Sequence, residues 1–124
     1  MNYETQTVLS SYQIEIGIKV ELNRLEELNA NLISVARHAA ETETAFKVAY
    51  AKARLKAKSE GKITEATADD IATVETEAQR LASAVAQNSL MSCREGVASA
   101  KARLDALRTL SSSSRSNTWM AKKF

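Results

Sequence analysis

No proline interrupts this chain, and its only glycines are Gly17, Gly61 and Gly96. Proline and glycine are the usual punctuation of turns, so few turns are available and the elements between them must be long. Alanine occurs 21 times, and Ala, Leu, Glu, Lys and Arg all favour helix. The expected class is all-α, with long helices folded into a coiled-coil-like helical hairpin. At 124 residues the chain is one domain's worth. Only two Phe, three Tyr and one Trp are available to fill a core. Alanine buries little area, at roughly 25 cal/mol for each Å² removed from water. A monomer built this way is marginal, so a homo-oligomer is expected, and alanine allows the close helix approach that assembly needs.

Residues 1–11 carry no periodic signal and are expected to fray. From Tyr12 to Leu22 the apolar residues strictly alternate, which is the period of a half-buried strand. The same stretch holds a helical set in Ile14, Ile18, Leu22 and Leu25, which continues through Leu28, Leu32, Val35 and Ala39. No second strand is visible as a partner, so helix is the preferred reading, with an extended segment paired to another subunit as the alternative. The first helix should run to about Ser59, with Gly61 as a left-handed terminator. Thr67 and Asp70 resemble a capping box that opens a second helix over 68–110. Its early seam is Ile71, Val74, Ala78, Leu81 and Val85, and its late seam is Leu90, Cys93, Val97, Ala100, Leu104 and Leu107. The two seams do not share a heptad frame, so the stripe must drift or the helix must bend near Asn88 and Gly96. The serines at 111–114 and 116 should end the helix, leaving 111–124 as a flexible linker and a basic-aromatic tail.

The net charge of +2 matters less than its distribution. Between Phe46 and Lys62, six of seventeen residues are Lys or Arg and only Glu60 is acidic. Residues 65–77 then carry Glu65, Asp69, Asp70, Glu75 and Glu77 with no base. Such blocks suit head-to-tail contacts or a polyanion. On an ideal helix Arg54 and Lys58 fall within about 20° of Lys47, while Lys52 and Lys56 lie some 140–180° away. Phe46, Ala49, Tyr50, Ala53 and Ala57 occupy a third sector that can be buried. Lys47, Lys52, Arg54, Lys56 and Lys58 are therefore candidate nucleic-acid-binding residues, and Tyr50 can stack on a base where it is exposed. The alternative is a solvated face in which Lys52 or Lys56 pairs with acids elsewhere.

No catalytic constellation is visible. His38 is the only histidine, and no second soft ligand is spaced to hold a metal with it. Glu41 and Glu43 sit about 200° apart on a helix and make a poor acid/base pair. No glycine-rich phosphate loop is present, and no enzymatic activity or cofactor is expected. Cys93 is alone, so no disulfide scaffold is supported, and its apolar surroundings suggest a small buried hydrophobe. No apolar run approaches the roughly 20 residues that span a bilayer. The first residues lack the pattern of a signal peptide. A soluble, cytoplasmic protein without a membrane partner is expected.

The segment Lys52–Ala53–Arg54–Leu55 ends a long helix and is followed by polar residues and a glycine. In this it resembles the motif of phage recombination mediator proteins, the UvsY-like family. The likeness extends downstream to the cysteine and the basic stretch CREGVASAKARLDALRTL, and covers about residues 25–110. The resemblance implies a small helical protein without enzymatic activity, working in the cytoplasm of an infected bacterial host. It implies assembly into rings of about six or seven subunits, largely through C-terminal helices. It also implies binding of single-stranded DNA and assistance to a RecA-like recombinase in displacing single-strand binding protein. The family's basic motif falls here on Lys52 and Arg54, with Lys47, Lys56 and Lys58 added by proximity. Where aromatic residues often follow that motif, this chain has Lys56–Ala57–Lys58.

Two other readings remain open at this point. One is a phage-type coiled-coil structural or assembly protein, in which charge blocks set subunit register. The other is a small inhibitor or adaptor that grips a partner through a helix face or through Trp119, Met120 and Phe124 in the tail, a composition suited to a short docking peptide.

Overall fold

The computed structural model describes residues 9–123, and the side chains of residues 9–113. Among these residues there are three helices and no strand: α1 (Ser11–Ser59), α2 (Glu65–Glu75) and α3 (Glu77–Lys123). The all-α expectation holds.

α1 opens on a reciprocal cap. Gln13 N–H donates to Ser10 Oγ at 3.2 Å, and Ser10 N–H donates to Gln13 Oε1 at 2.9 Å. This is the Ser-x-x-Gln capping box, which satisfies two backbone donors at the helix end. The alternating stretch that follows is helical throughout. Ile14 is buried, whereas Tyr12, Ile16 and Val20 face outward. Helical spacing selects one isoleucine for the interior and leaves its alternating neighbours outside.

At its far end α1 stops without a left-handed residue. No described glycine has a positive φ, so Gly61 is not the terminator the sequence suggests. Instead Glu60 N–H and Ser59 Oγ both donate to Lys56 O, at 3.2 and 2.7 Å. α2 begins earlier than expected. Thr64, at φ −72° and ψ 161°, is the N-cap, and its side chain accepts from Thr67 N–H. Thr67 therefore lies inside the first turn rather than in front of it.

The helix interruption falls at Thr76, not near Asn88 or Gly96. Thr76 is buried, and both its N–H and its Oγ1 donate to Ala72 O, at 3.1 and 2.6 Å. A hydroxyl bonded back to the preceding turn competes with the helix ladder and bends it. α3 then continues through the serine run to Lys123, where the sequence reading ends the helix at Leu110. Serine costs a helix only a few tenths of a kcal/mol per residue. No proline or glycine stands in that run to stop it.

The contacts divide into two units. Unit 1 is residues 1–30 with 95–124, and unit 2 is residues 31–94. In unit 1, Ile14, Val97, Ala100 and Leu104 are buried. Arg103 Nε donates to Glu21 Oε1 at 3.1 Å. In unit 2, Ala39, Ala86 and Leu90 form a cluster with Leu32, Val35 and Ala36 against it. Gln87 Nε2 donates to Ala39 O, and Asn31 Nδ2 donates to Cys93 Sγ at 3.4 Å. Within each unit an advance along α1 meets a retreat along α3, so the two helices are antiparallel.

The late seam is inward as expected. Leu90, Val97, Ala100 and Leu104 are buried, and Cys93 and Leu107 are half-buried. The early seam is not. Val74, Leu81 and Val85 are exposed, and Ala68, Ala72, Ser83 and Ala86 take the interior. Small side chains let helix axes approach, so the alanine face wins the contact and the larger residues are left outside.

Candidate nucleic-acid interface

The basic run from Phe46 to Ser59 forms the last four turns of α1, and Lys62 lies in the connection beyond it. Its apolar sector packs as the wheel implies. Ala53 and Ala57 are buried, and Phe46, Ala49 and Tyr50 are half-buried. The Phe46 and Tyr50 rings meet edge to face, with centroids 6.2 Å apart. Tyr50 is not free to stack, because its hydroxyl donates to Asp69 Oδ1 at 3.1 Å.

The five candidate cations separate into three groups. Arg54 and Lys58 turn toward α2. Arg54 Nε bonds Asp69 Oδ1 at 2.7 Å, Arg54 Nη2 pairs with Glu65 Oε2, and Lys58 Nζ pairs with Glu65 Oε1. Two cations and two carboxylates thus cancel in one partly exposed cluster. Lys47 Nζ pairs with Glu43 at 3.1 Å, one turn back on the same helix, and remains 73% exposed. Exposed pairs of this kind contribute only about 0.3–0.5 kcal/mol, so Lys47 exchanges partners easily. Lys52 and Lys56 are exposed and join no ion pair among the described residues.

The sequence alternative had Lys52 or Lys56 pairing with acids, and the structure pairs Arg54 and Lys58 instead. Within the KARL segment Lys52 and Leu55 face outward, Ala53 is buried and Arg54 is held by α2. Glu65 and Asp69 are the partners that reasoning on α1 alone passes over. Their signal was present in the acidic block after the connection, which a helical hairpin folds back onto the end of α1.

His38 is exposed on α1. Among the described residues no group of three or more His, Cys, Asp or Glu is placed to hold a metal ion. Cys93 is half-buried beside Asn31. No helix among the described residues is long and apolar enough to cross a membrane. The side chains of Trp119 and Met120, and the whole of Phe124, lie outside the described residues. No family model, curated protein or solved structure matches the chain.

Proposed function

We propose that this chain is a non-enzymatic, homo-oligomeric protein that binds single-stranded DNA and serves as a recombination mediator for a RecA-like recombinase. The observation that supports the reading is the pair Lys52 and Lys56. They stand exposed and unpaired among the described residues, one turn apart on α1. That turn is roughly 6 Å along the axis. Lys47, loosely held, extends the set. Two or three phosphate contacts per chain are weak, and repetition around an assembly supplies avidity. The acid-bound Arg54 and Lys58 hold α2 in place and are not primary DNA ligands.

A second reading, an assembly or adaptor protein acting through protein contacts, draws on the same cluster, since Arg54 and Lys58, two of the six cations of the basic run, are already neutralised within the chain. Fluorescence anisotropy with a labelled single-stranded oligonucleotide separates the two. The mediator reading expects binding at low salt that weakens steeply as salt rises, and loss of that binding in Lys52→Ala with Lys56→Ala. An absence of binding in dilute buffer, or an unaffected double variant, leaves the assembly reading.

A further inference from the structure

Unit 2 carries two apolar faces that its own helices leave uncovered. On α1, Ile33, Ala40, Thr44, Val48, Ala51 and Leu55, with Arg37 among them, recur at spacings of four, three and four, repeated. An eleven-residue repeat stays on one bearing of an α-helix with little drift. That bearing is opposite the buried Ala39, Ala53 and Ala57. Ile33, Val48 and Leu55 are 67%, 47% and 69% exposed. Between Ile33 and Leu55 along α1 lies an open groove of about 720 Å³, with Ala40, Thr44, Ala45, Val48 and Ala49 along its floor.

The other face is a ridge. Val74, Ala78, Leu81 and Val85 on α2 and α3 recur at spacings of four, three and four, and the three larger residues are 74%, 64% and 58% exposed. Small residues line the groove and large ones form the ridge, which is the shape match that helix packing requires. The charges match as well. Arg37 lies in the groove's own row four residues after Ile33, and Lys52 lies on its border four residues after Val48, with Glu41 the single acid beside them. Asp70 and Glu77 precede Val74 and Leu81 by four residues along one border of the ridge. Arg80 stands about 100° from Leu81, whereas Glu77 stands about 40° from it. None of Arg37, Lys52, Asp70 and Glu77 has an ion pair among the described residues. Both faces point away from the contact between α1 and α3, so one chain cannot join its own ridge to its own groove.

The geometry points to a second copy of this chain as the occupant. The ridge of one copy, Val74 to Val85, seats in the α1 groove of the next. The contact is heterologous, so each copy offers a free groove at one side and a free ridge at the other, and the row continues until it closes. Lys52 stands at the edge of the contact, and Lys56 lies one turn on, about 40° further round the same side of α1. The inference rests on the homo-oligomeric part of the proposed function and shares Lys52 with its DNA face, so it is tested without nucleic acid.

Light scattering after size exclusion, on the full chain without nucleic acid, tests it. Leu81→Glu spoils the ridge and Val48→Glu spoils the groove. The parent is expected above the single-chain mass of 13.5 kDa. Each variant alone is expected at that mass, with helical circular dichroism retained. Mixed in equal amounts, they are expected to form a two-chain species and nothing larger, because one sound groove meets one sound ridge. Where a glutamate variant loses its helical signal, Leu81→Gln and Val48→Gln take its place with the same expected masses. Variants that keep the parent's mass, or a mixture that stays at one chain, overturn the interface while leaving assembly intact. A parent that runs as one chain overturns assembly itself.

Discussion

Arg54 Nε donates to Asp69 Oδ1 at 2.7 Å, and the same carboxylate oxygen accepts the Tyr50 hydroxyl at 3.1 Å. One oxygen on α2 therefore organises two side chains on α1. It also occupies the guanidinium that a helical wheel of the basic run offers to a polyanion.

Asp69→Ala removes both bonds at once. Asp69 is half exposed and Arg54 about one-third exposed, so solvent screens the pair and the cost is about 1 kcal/mol. Urea denaturation followed by circular dichroism measures it. Arg54 keeps its pair with Glu65 in that variant, so Glu65→Ala is added to release it, and oligonucleotide affinity should then rise while stability falls. A variant that loses stability without gaining affinity argues against a latent DNA role for Arg54.

Lys52→Ala with Lys56→Ala should have the opposite profile. Both side chains are exposed without ion pairs among the described residues, so stability should change by less than about 0.5 kcal/mol. Single-strand affinity should fall, and the slope of log affinity against log salt should drop by roughly 1.4 per chain, at about 0.7 for each lost phosphate contact. Arg54→Ala alone should weaken DNA binding less and stability more.

Two glycine substitutions test the backbone. A Cβ on Gly96 meets only Leu28 Cδ2, at 3.7 Å, within unit 1. Gly96→Ala should therefore stabilise the chain by about 1 kcal/mol, the helix-interior difference between the two residues. Gly61 has no positive φ and nothing within 4 Å of an added Cβ. Gly61→Ala should be neutral or stabilising by up to about 1 kcal/mol. A left-handed terminator would instead be destabilised, and thermal melts of both variants decide.

Glu21 presents a sharper imbalance. Its side chain is 12% exposed, and Oε2 is buried with no hydrogen-bond partner among the described residues, while Oε1 accepts from Arg103. Arg103→Ala strands that carboxylate and should cost about 2 kcal/mol. Adding Glu21→Leu should recover most of the loss, since an apolar side chain needs no partner there. A double variant as unstable as Arg103→Ala alone would mean that the pair is not the source of the effect.

Much of this fold was legible in the sequence because its signals were local or repeated. The stripe through Leu28, Leu32, Val35 and Ala39, and the late seam from Leu90 to Leu107, lie inward because no second row of large apolar residues runs the length of those stretches. Between Ile71 and Val85 two rows compete. Periodicity detects both and does not say which one packs. Closeness of approach settles that, and it favours Ala72 and Ala86 over Val74 and Val85. The candidate site was half legible for a similar reason. The wheel separated Lys52 and Lys56 from Arg54 and Lys58 correctly. Only the antiparallel register, which brings Asp69 beside Arg54, decides which pair meets acids.

The alanine-lined contact between the helices also sets how this chain responds to temperature. Heat capacity on unfolding grows with apolar area newly wetted, at about 0.45 cal/K/mol for each Å². Among the described residues the buried hydrophobic positions are mostly alanine and no large side chain is fully enclosed, so opening an isolated copy wets little new oily surface. Its free-energy curve is accordingly broad and shallow, with warming and cooling each shifting the balance only gradually.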